Sequence, residues 1–332
     1  MEKLYDIAII GAGPAGSMLT RLIQDKYKIA LFDTRPLDRP YQFGDPLKSC
    51  GGLIAPDAQK FLKQQKMSVP ANITDQEQSP YVATIDFDIG ITRNFKRNYI
   101  NVDREAFDRW LLSDLKADTY FDKRIKSIKE TEDGFLIDDT IKAKVLVGAD
   151  GAMSYVRRKF FPSFKTRTYT SIQHVFAKEL IKGMQCYFDT GISDYYGWAL
   201  NKNGKTYLGW AIPEGKGAKE KFSNFKSKNG FSESMSEEGT IILRPKFFHP
   251  ITCSKNIFLI GEAGGYISPS SAEGISYAFK TAKILAESRF EEKRFRFKML
   301  RIKMNLFYKN LKGIFMYTPW IRHMIMKLSF WK

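Results

Sequence analysis

The chain has 332 residues, 43% of them hydrophobic and 27% charged, with a formal net charge of +17. That balance excludes an intrinsically disordered chain, and the length allows two domains or one large domain with an insertion. The three cysteines lack metal-ligand spacing and argue against a disulfide framework, and no run of about 18 apolar residues predicts a membrane-spanning helix.

The first predicted element is a buried strand over Leu4 to Ile10, rich in β-branched residues. Gly11-Ala12-Gly13-Pro14-Ala15-Gly16 follows, then a helix from Ser17, then a second strand, Lys28 to Phe32, ending at Asp33. This is strand, glycine turn, helix, strand, acid: the order in which a dinucleotide is bound. Gly11 permits the turn, Gly13 lets a pyrophosphate approach the backbone, and Gly16 lets the helix pack close to the sheet. The backbone amides at 12–16 and the helix dipole face the phosphates, and Asp33 can accept bonds from ribose hydroxyls. The alternative is a glycine-rich turn in an unrelated α/β protein.

Cys50-Gly51-Gly52 then suggests backbone held close to something flat or crowded. A helix is predicted over Pro56 to Gln65, and half-buried strands over Tyr81 to Asp88 and Gly90 to Phe95. A short strand at Tyr99 to Val102 precedes a helix from Arg104 to Leu115 with Asp103 as N-cap. Strands are expected at Ile125 to Glu130, Gly134 to Ile137 and Ala143 to Gly148, the last running into Ala149-Asp150-Gly151 and a helix from Ser154 to Phe160. Short strands at Ser171 to Glu179, Met184 to Phe188, Tyr195 to Leu200 and Lys205 to Ile212 read as an antiparallel sheet, followed by a helix from Phe222 to Lys228. Another buried strand, Asn256 to Ile260, leads to Gly261-Glu262-Ala263-Gly264-Gly265, a loop, Glu273-Gly274-Ile275 and a helix from Ser276 to Glu287.

From Arg294 to Tyr317 apolar residues recur at helical spacing: Leu300, Met304, Phe307, Leu311 and Ile314. Residues 285–332 carry twelve Lys or Arg against three Glu, a balance of +9. Two readings stand for this tail. Its apolar face packs on the domain, or it lies as an interfacial helix on anionic lipid. No recognition motif accompanies the charge, so no nucleic acid is expected. No signal peptide is visible, so the expected location is cytoplasmic, with peripheral membrane contact through the tail as an option.

Gly11-Ala12-Gly13-Pro14-Ala15-Gly16 with Asp33, Gly148-Ala149-Asp150-Gly151 with Ser154 and Arg157, and Gly261-Glu262-Ala263-Gly264 with Glu273-Gly274-Ile275 together resemble FAD-dependent oxidoreductases of the aromatic-hydroxylase type. Within that superfamily the chain looks closest to the geranylgeranyl reductase branch. Cys50-Gly51-Gly52 matches its C-G-G element, and Tyr196-Gly197-Trp198-Ala199-Leu200-Asn201 resembles its Y-x-W-x-F-P segment. Leu200-Asn201 replaces Phe-Pro, Glu262 replaces an Asp, and Ala272 stands where a Gly usually precedes Glu273.

The resemblance implies an α/β fold: a Rossmann-like FAD-binding domain with an inserted antiparallel-sheet substrate domain and C-terminal helices. The expected division is a discontinuous FAD-binding domain (1–75, 98–164 and 246–290), a substrate domain (76–97 and 165–245) and basic helices (291–332). FAD is the implied cofactor, with NAD(P)H or a reduced carrier protein as electron donor. The cofactor residues implied are Gly11, Ala12, Gly13, Pro14, Ala15, Gly16, Asp33, Thr34, Arg35, Cys50, Gly51, Gly52, Arg104, Asp150, Gly151, Gly261, Glu262, Gly274 and Ile275. Tyr196 and Trp198 belong to the implied substrate pocket, Cys50 is the one candidate catalytic side chain, and no metal site is expected.

Three functions follow. The first is a reductase that saturates C=C bonds of an isoprenoid-type or other apolar small molecule. The second is an NAD(P)H- and O2-dependent monooxygenase of an aromatic or polyketide substrate. The third is a flavoprotein that passes electrons to a partner. A halogenase is disfavoured because its W-x-W-x-I-P segment is missing.

Overall fold

The computed structural model describes residues 3–42, 45, 50–75, 78–231, 233–250 and 252–327. The chain divides into two compact units: 1–47, 105–166 and 245–308 form the first, and 48–104, 167–244 and 309–332 the second. These cuts differ from those expected from sequence. Residues 50–75 and 98–104 join the second unit, where strand Leu53–Ile54 pairs with Ile100–Asn101 and Thr74 bridges to Val102. The helix Glu292–Tyr317 contributes its residues through Tyr308 to the first unit.

The first unit is built on an eight-stranded sheet. Strand Lys3–Ile10 lies centrally, parallel to Ile29–Phe32 on one side and to Ile141–Gly148 on the other. Ile257–Leu259 extends it beyond Ile141–Gly148, and Asp118–Tyr120, a strand with no expectation from sequence, extends it beyond Ile29–Phe32. The central strands read as near-continuous apolar runs because both faces are covered: Ile7, Ala8, Ile9, Leu31, Leu146, Val147 and Leu259 are all buried. The helix Pro14–Ile23 buries Met18, Leu19 and Ile23, and the helix Ile275–Ser288 buries Phe279, Ala282 and Leu285. The expectation of a Rossmann-like α/β unit holds. The hairpin strand expected from Ile125 is confined to Ile128–Thr131, and the helix expected to reach Leu115 ends at Leu112, with Asp114 in the left-handed conformation at φ +60°.

The second unit carries a seven-stranded sheet in the order Ser236–Arg244, Arg167–Phe176, Lys205–Pro213, Gly197–Lys202, Met184–Phe188, Tyr81–Asp86, Ile91–Lys96. One pair departs from the antiparallel pattern expected: Met184–Phe188 runs parallel to Tyr81–Asp86. Those strands come from distant parts of the chain, so no short turn dictates their direction. Ser236–Arg244 was not anticipated, because its start is a run of Ser, Glu and Gly. The helix expected from Phe222 starts earlier and spans Ala218–Lys228. Between Gly197–Lys202 and Lys205–Pro213, Gly197 faces Trp210 and Trp198 faces Gly209. A Cβ on Gly197 would come within 2.3 Å of Trp210 Cε3, and one on Gly209 within 2.4 Å of Trp198 Cζ2. Two indoles therefore occupy the space that two missing side chains leave.

The apolar stripe expected on the long C-terminal helix is not its buried face. Phe295, Met299, Ile302 and Leu306 are buried, while Leu300, Met304 and Ile314 are exposed. The segment has two apolar stripes, and periodicity alone does not tell which one meets the core. The helix Pro319–Lys327 follows Thr318, and its Arg322 pairs with Asp86 and Asp88 in the second unit. No helix among the described residues is long and apolar enough to cross a membrane.

Candidate functional site

Three loops meet at the carboxyl edge of the first unit's sheet. They follow the strands Lys3–Ile10, Ile141–Gly148 and Ile257–Leu259, which are adjacent and parallel, with Ile10 opposite Gly148 and Gly148 opposite Leu259. This edge, where connections leave in opposite directions, is where open α/β sheets hold ligands. The loops are locked together by the backbone: Ala149 N donates to Ile10 O at 2.7 Å and Ile260 N to Gly148 O at 3.0 Å.

The glycine turn is shaped by close contacts. Gly11 sits at φ +105°, and a Cβ there would lie 2.4 Å from Ala149 O. A Cβ on Gly16 would lie 1.9 Å from Gly11 O. Gly13 is different: the nearest atom to a Cβ is Arg35 Nη2, at 3.8 Å. Nothing in the protein demands glycine at 13, so the space over it is open to a ligand. Of the amides at 12–16, that of Ala12 donates to Asp33 Oδ2 at 2.8 Å, and Pro14 has none. Gly13, Ala15 and Gly16 remain as the donors, at the positive end of the helix Pro14–Ile23.

Asp33 is held from several sides. Its carboxylate accepts from Ala12 N, from Arg35 N at 2.9 Å and from the Arg35 guanidinium. Arg35 reaches on to buried Asp108 at 2.7 Å. A cation thus stands beside the phosphate-type loop, oriented by two carboxylates. Thr34, between them in sequence, is exposed. Asp108 was not foreseen; its position on the helix Arg104–Leu112 gives no sequence signal beyond an acid on a buried face.

Asp150 caps the helix Tyr155–Phe160: its Oδ2 accepts from Tyr155 N at 2.7 Å and Val156 N at 3.3 Å. Its Oδ1 is buried and has no partner among the described residues, and burial pushes the carboxyl up. Arg157 ties this loop to the next. Its guanidinium donates to Ala263 O at 2.8 Å and to the carbonyl of Ala152. Gly261 N donates to Thr281 Oγ1 at 2.9 Å, and His249 meets Gly264 O at 2.7 Å. Burial pushes His249 down to about 4, which leaves it neutral at ordinary pH.

The helix Ile275–Ser288 begins beside this edge. Ala272 takes the left-handed conformation at φ +48°, so the position that carries Gly in the resemblance does need that backbone shape. Glu273 accepts from Ser276 N at 2.7 Å. Ser276 Oγ, buried and without a partner among the described residues, is a second polar atom left waiting. It went unnoticed in sequence because a lone serine at a helix start reads as a cap.

Cys50, Gly51, Gly52, Arg104, Tyr196 and Trp198 lie in the second unit. Arg104 is buried at the start of its helix. The C-G-G segment meets the strand Gly197–Lys202. Lys202, buried, donates from Nζ to Gly51 O at 2.9 Å, and a Cβ on Gly51 would lie 3.0 Å from Leu200 Cδ2. Gly52, at φ +71°, has Val102 O and Lys202 Nζ each 2.4 Å from where a Cβ would sit. Burial lowers Lys202 to about 8. Trp198 Nε1 donates to Gln173 Oε1 at 3.1 Å, and the rings of Tyr196 and Trp198 are 6.0 Å apart. A cavity of about 410 Å³ starts at Leu53, next to the C-G-G segment, and is lined further by Gln78, Ser79, Tyr99, Asn101, Met184 and Asn201. Tyr196 and Trp198 are not among its lining residues. Asn101 Oδ1 is buried with no partner among the described residues. Among the described residues no group of His, Cys, Asp and Glu is placed to hold a metal ion.

No family model matches the sequence. Among solved structures, the chain superimposes on a geranylgeranyl bacteriochlorophyll reductase-like protein from Thermoplasma acidophilum with a TM-score of 0.77, at 16% identity, covering 98% of this chain and 89% of that one. It also matches PqsL of Pseudomonas aeruginosa, described as a probable FAD-dependent monooxygenase, with a TM-score of 0.67 at 14% identity, covering 98% of this chain and all of that one. The fold is therefore that of the FAD-dependent oxidoreductases of the aromatic-hydroxylase type. In sequence, Protein CbrA of Escherichia coli O6:H1 is 36% identical over 347 residues, covering 97% of this chain and 93% of the relative. By that measure the chain belongs to the CbrA family.

Proposed function

We propose that this chain binds FAD at the three-loop edge of its first unit and works as an FAD-dependent oxidoreductase. The observation that carries the reading is the open cradle over Gly13, with three uncommitted amides and the Arg35 guanidinium around it. The partnerless Asp150 Oδ1 and Ser276 Oγ fit the same group, since each is a buried polar atom that a polar ligand would satisfy. When bound, FAD supplies two-electron hydride chemistry. The chain's own part is to hold and orient. The amides of Gly13, Ala15 and Gly16 and the Arg35 cation offset diphosphate charge. The N-terminal end of the helix Ile275–Ser288 offers a positive dipole and a serine hydroxyl.

The reaction we favour is reduction of C=C bonds in an isoprenoid-type or other apolar substrate, with NAD(P)H or a reduced carrier protein as donor. Support comes from Cys50-Gly51-Gly52 standing against the strand that holds Trp198, with Tyr196 directly before its first residue. Lys202 Nζ, which burial lowers to about 8 and which donates to Gly51 O, can hold or release a proton there near neutral pH. A second reading, monooxygenation of an aromatic or polyketide substrate, is favoured by the Gln78, Ser79 and Asn201 side chains in the cavity wall and by the partnerless Asn101 Oδ1, which suits a substrate with a hydroxyl or amide donor.

Purification in the dark, a visible spectrum and mass analysis of bound molecules test both. A yellow protein releasing FAD is expected. Prenyl substrates reduced without O2 uptake support the reductase, and substrate-stimulated NAD(P)H and O2 consumption supports the monooxygenase. A colourless protein that takes up no added FAD ends the proposal.

A further inference from the structure

The helix Glu292–Tyr317 presents two apolar sides in the first unit. Its inner side is satisfied: Phe295 packs edge-on to Phe258 at 5.4 Å, and Met299, Ile302 and Leu306 are buried. Its outer side is not polar. Phe297 is 75% exposed, Tyr308 61%, Met304 51% and Leu300 48%. At 100° per residue these four fall within an arc of about 80°, opposite the buried residues. Phe248, 89% exposed, adds a ring whose centroid is 6.4 Å from that of Phe307 on the same helix. A contiguous apolar strip of this kind is uncommon on a surface that meets only water.

The charge around the strip is one-sided. Residues 292–308 hold six Lys or Arg and one Glu. Arg294, Arg296 and Lys298 pair with Glu291, Glu292 and Glu287. Lys293, Arg301 and Lys303 have no carboxylate partner among the described residues; Lys293 lies within the apolar arc one turn before Phe297, and Arg301 borders it.

From this arrangement we infer that the outer face of residues 292–308, together with Phe248, docks on an anionic phospholipid bilayer. Phe297, Leu300, Met304 and Phe248 enter the headgroup–acyl boundary, Tyr308 sits at its polar edge, and Lys293 and Arg301 meet lipid phosphates. Aromatic and aliphatic residues flanked by lysine and arginine match that boundary, where apolar burial and surface potential act together. A second copy of the chain would leave the cations facing cations, so charge complementarity selects the lipid. The inference does not depend on which reaction the protein catalyses.

The test is co-sedimentation of the full chain with vesicles of phosphatidylcholine alone and with about 30% phosphatidylglycerol, the latter giving a negative surface potential. Binding at least about tenfold stronger to the anionic vesicles, and released by about 0.5 M salt, is expected. The double variant F297S/M304S, at exposed positions, should lose about tenfold in vesicle binding while its thermal midpoint stays unchanged. F248S, in a loop, is an independent second variant and should weaken binding in the same direction. Full-strength binding by both variants, or a wild-type chain that stays in the supernatant with both vesicles, overturns the inference. So does a wild-type dimer that the same substitutions dissociate without any vesicle binding.

Discussion

Lys202 Nζ donates a 2.9 Å hydrogen bond to the carbonyl oxygen of Gly51. The two residues are 151 positions apart, and the bond fixes the C-G-G segment against the strand Gly197–Lys202. The ammonium also lies 5.2 Å from the centre of the Tyr207 ring. A buried lysine held in this way costs stability, and its titration can be read. Its folded value of about 8 lies below its ordinary value of 10.5, so between those limits the unfolded chain binds more protons. Stability contributed by this site therefore rises as pH goes from 8 to 10.5. Lys202→Met should flatten that rise and leave the protein as stable or more stable at pH 7, by up to about 3 kcal/mol. Urea unfolding of both proteins at pH 7 and pH 9.5 measures it; an unchanged slope in the variant would contradict the assignment.

The glycine turn separates folding from binding. Gly16→Ala puts a Cβ 1.9 Å from Gly11 O and should cost about 3 kcal/mol or more, or prevent folding. Gly13→Ala meets nothing closer than 3.8 Å and should change stability by less than about 1 kcal/mol. The added methyl occupies the cradle, so flavin content should fall at least tenfold. Thermal midpoints and the absorbance of the purified variants check the contrast.

Arg35 stands between Asp33 and Asp108, both nearly closed off from solvent. Arg35→Met leaves two facing carboxylates without their cation and should destabilise by about 3–5 kcal/mol. Adding Asp108→Asn removes one of them and should restore part of the loss. Chemical denaturation of the four members of this cycle gives the coupling; simple additivity would mean that the pair contributes independently.

His249 supports the late glycine loop from beneath, between Phe164 and Tyr266, with ring centroids at 5.5 and 5.1 Å. Its folded value of about 4 lies below the ordinary 6.5, so the unfolded chain binds the extra proton between these limits. Stability should fall as pH drops from 6.5 to 4, by up to about 3 kcal/mol from this residue. His249→Gln can keep a donor toward Gly264 O and should make the acid loss shallower. Thermal melts at pH 7 and pH 5 decide; equal acid losses in both proteins would place the effect elsewhere.

Much of the nucleotide-type unit was legible because its signals are local. Gly11, Gly13, Gly16 and Asp33 fall at fixed distances along one βαβ unit, and the loops at 148–151 and 261–265 each follow a strongly apolar strand. What escaped depends on contacts across the chain. Lys202 meets Gly51 only because the fold lays a loop against the end of a distant strand, and nothing in Asn201-Lys202-Asn203 announces a buried amine. Asp108 is one of two acids on its helix, and nothing marks it until Arg35 reaches it. The parallel pairing of Met184–Phe188 with Tyr81–Asp86 has no turn to betray it. The long helix misled for a different reason: Leu300 and Met304 have the right period but belong to the outer stripe.

The crossed pairing of Gly197 with Trp210 and of Trp198 with Gly209 behaves like a key with two teeth. Slide either strand by one residue and each indole strikes a partner that carries a side chain. A misaligned pairing of these two strands is thus disfavoured by shape. Any drift toward a larger residue at either glycine must be matched by a smaller one across the strand, so the four positions should vary as a set.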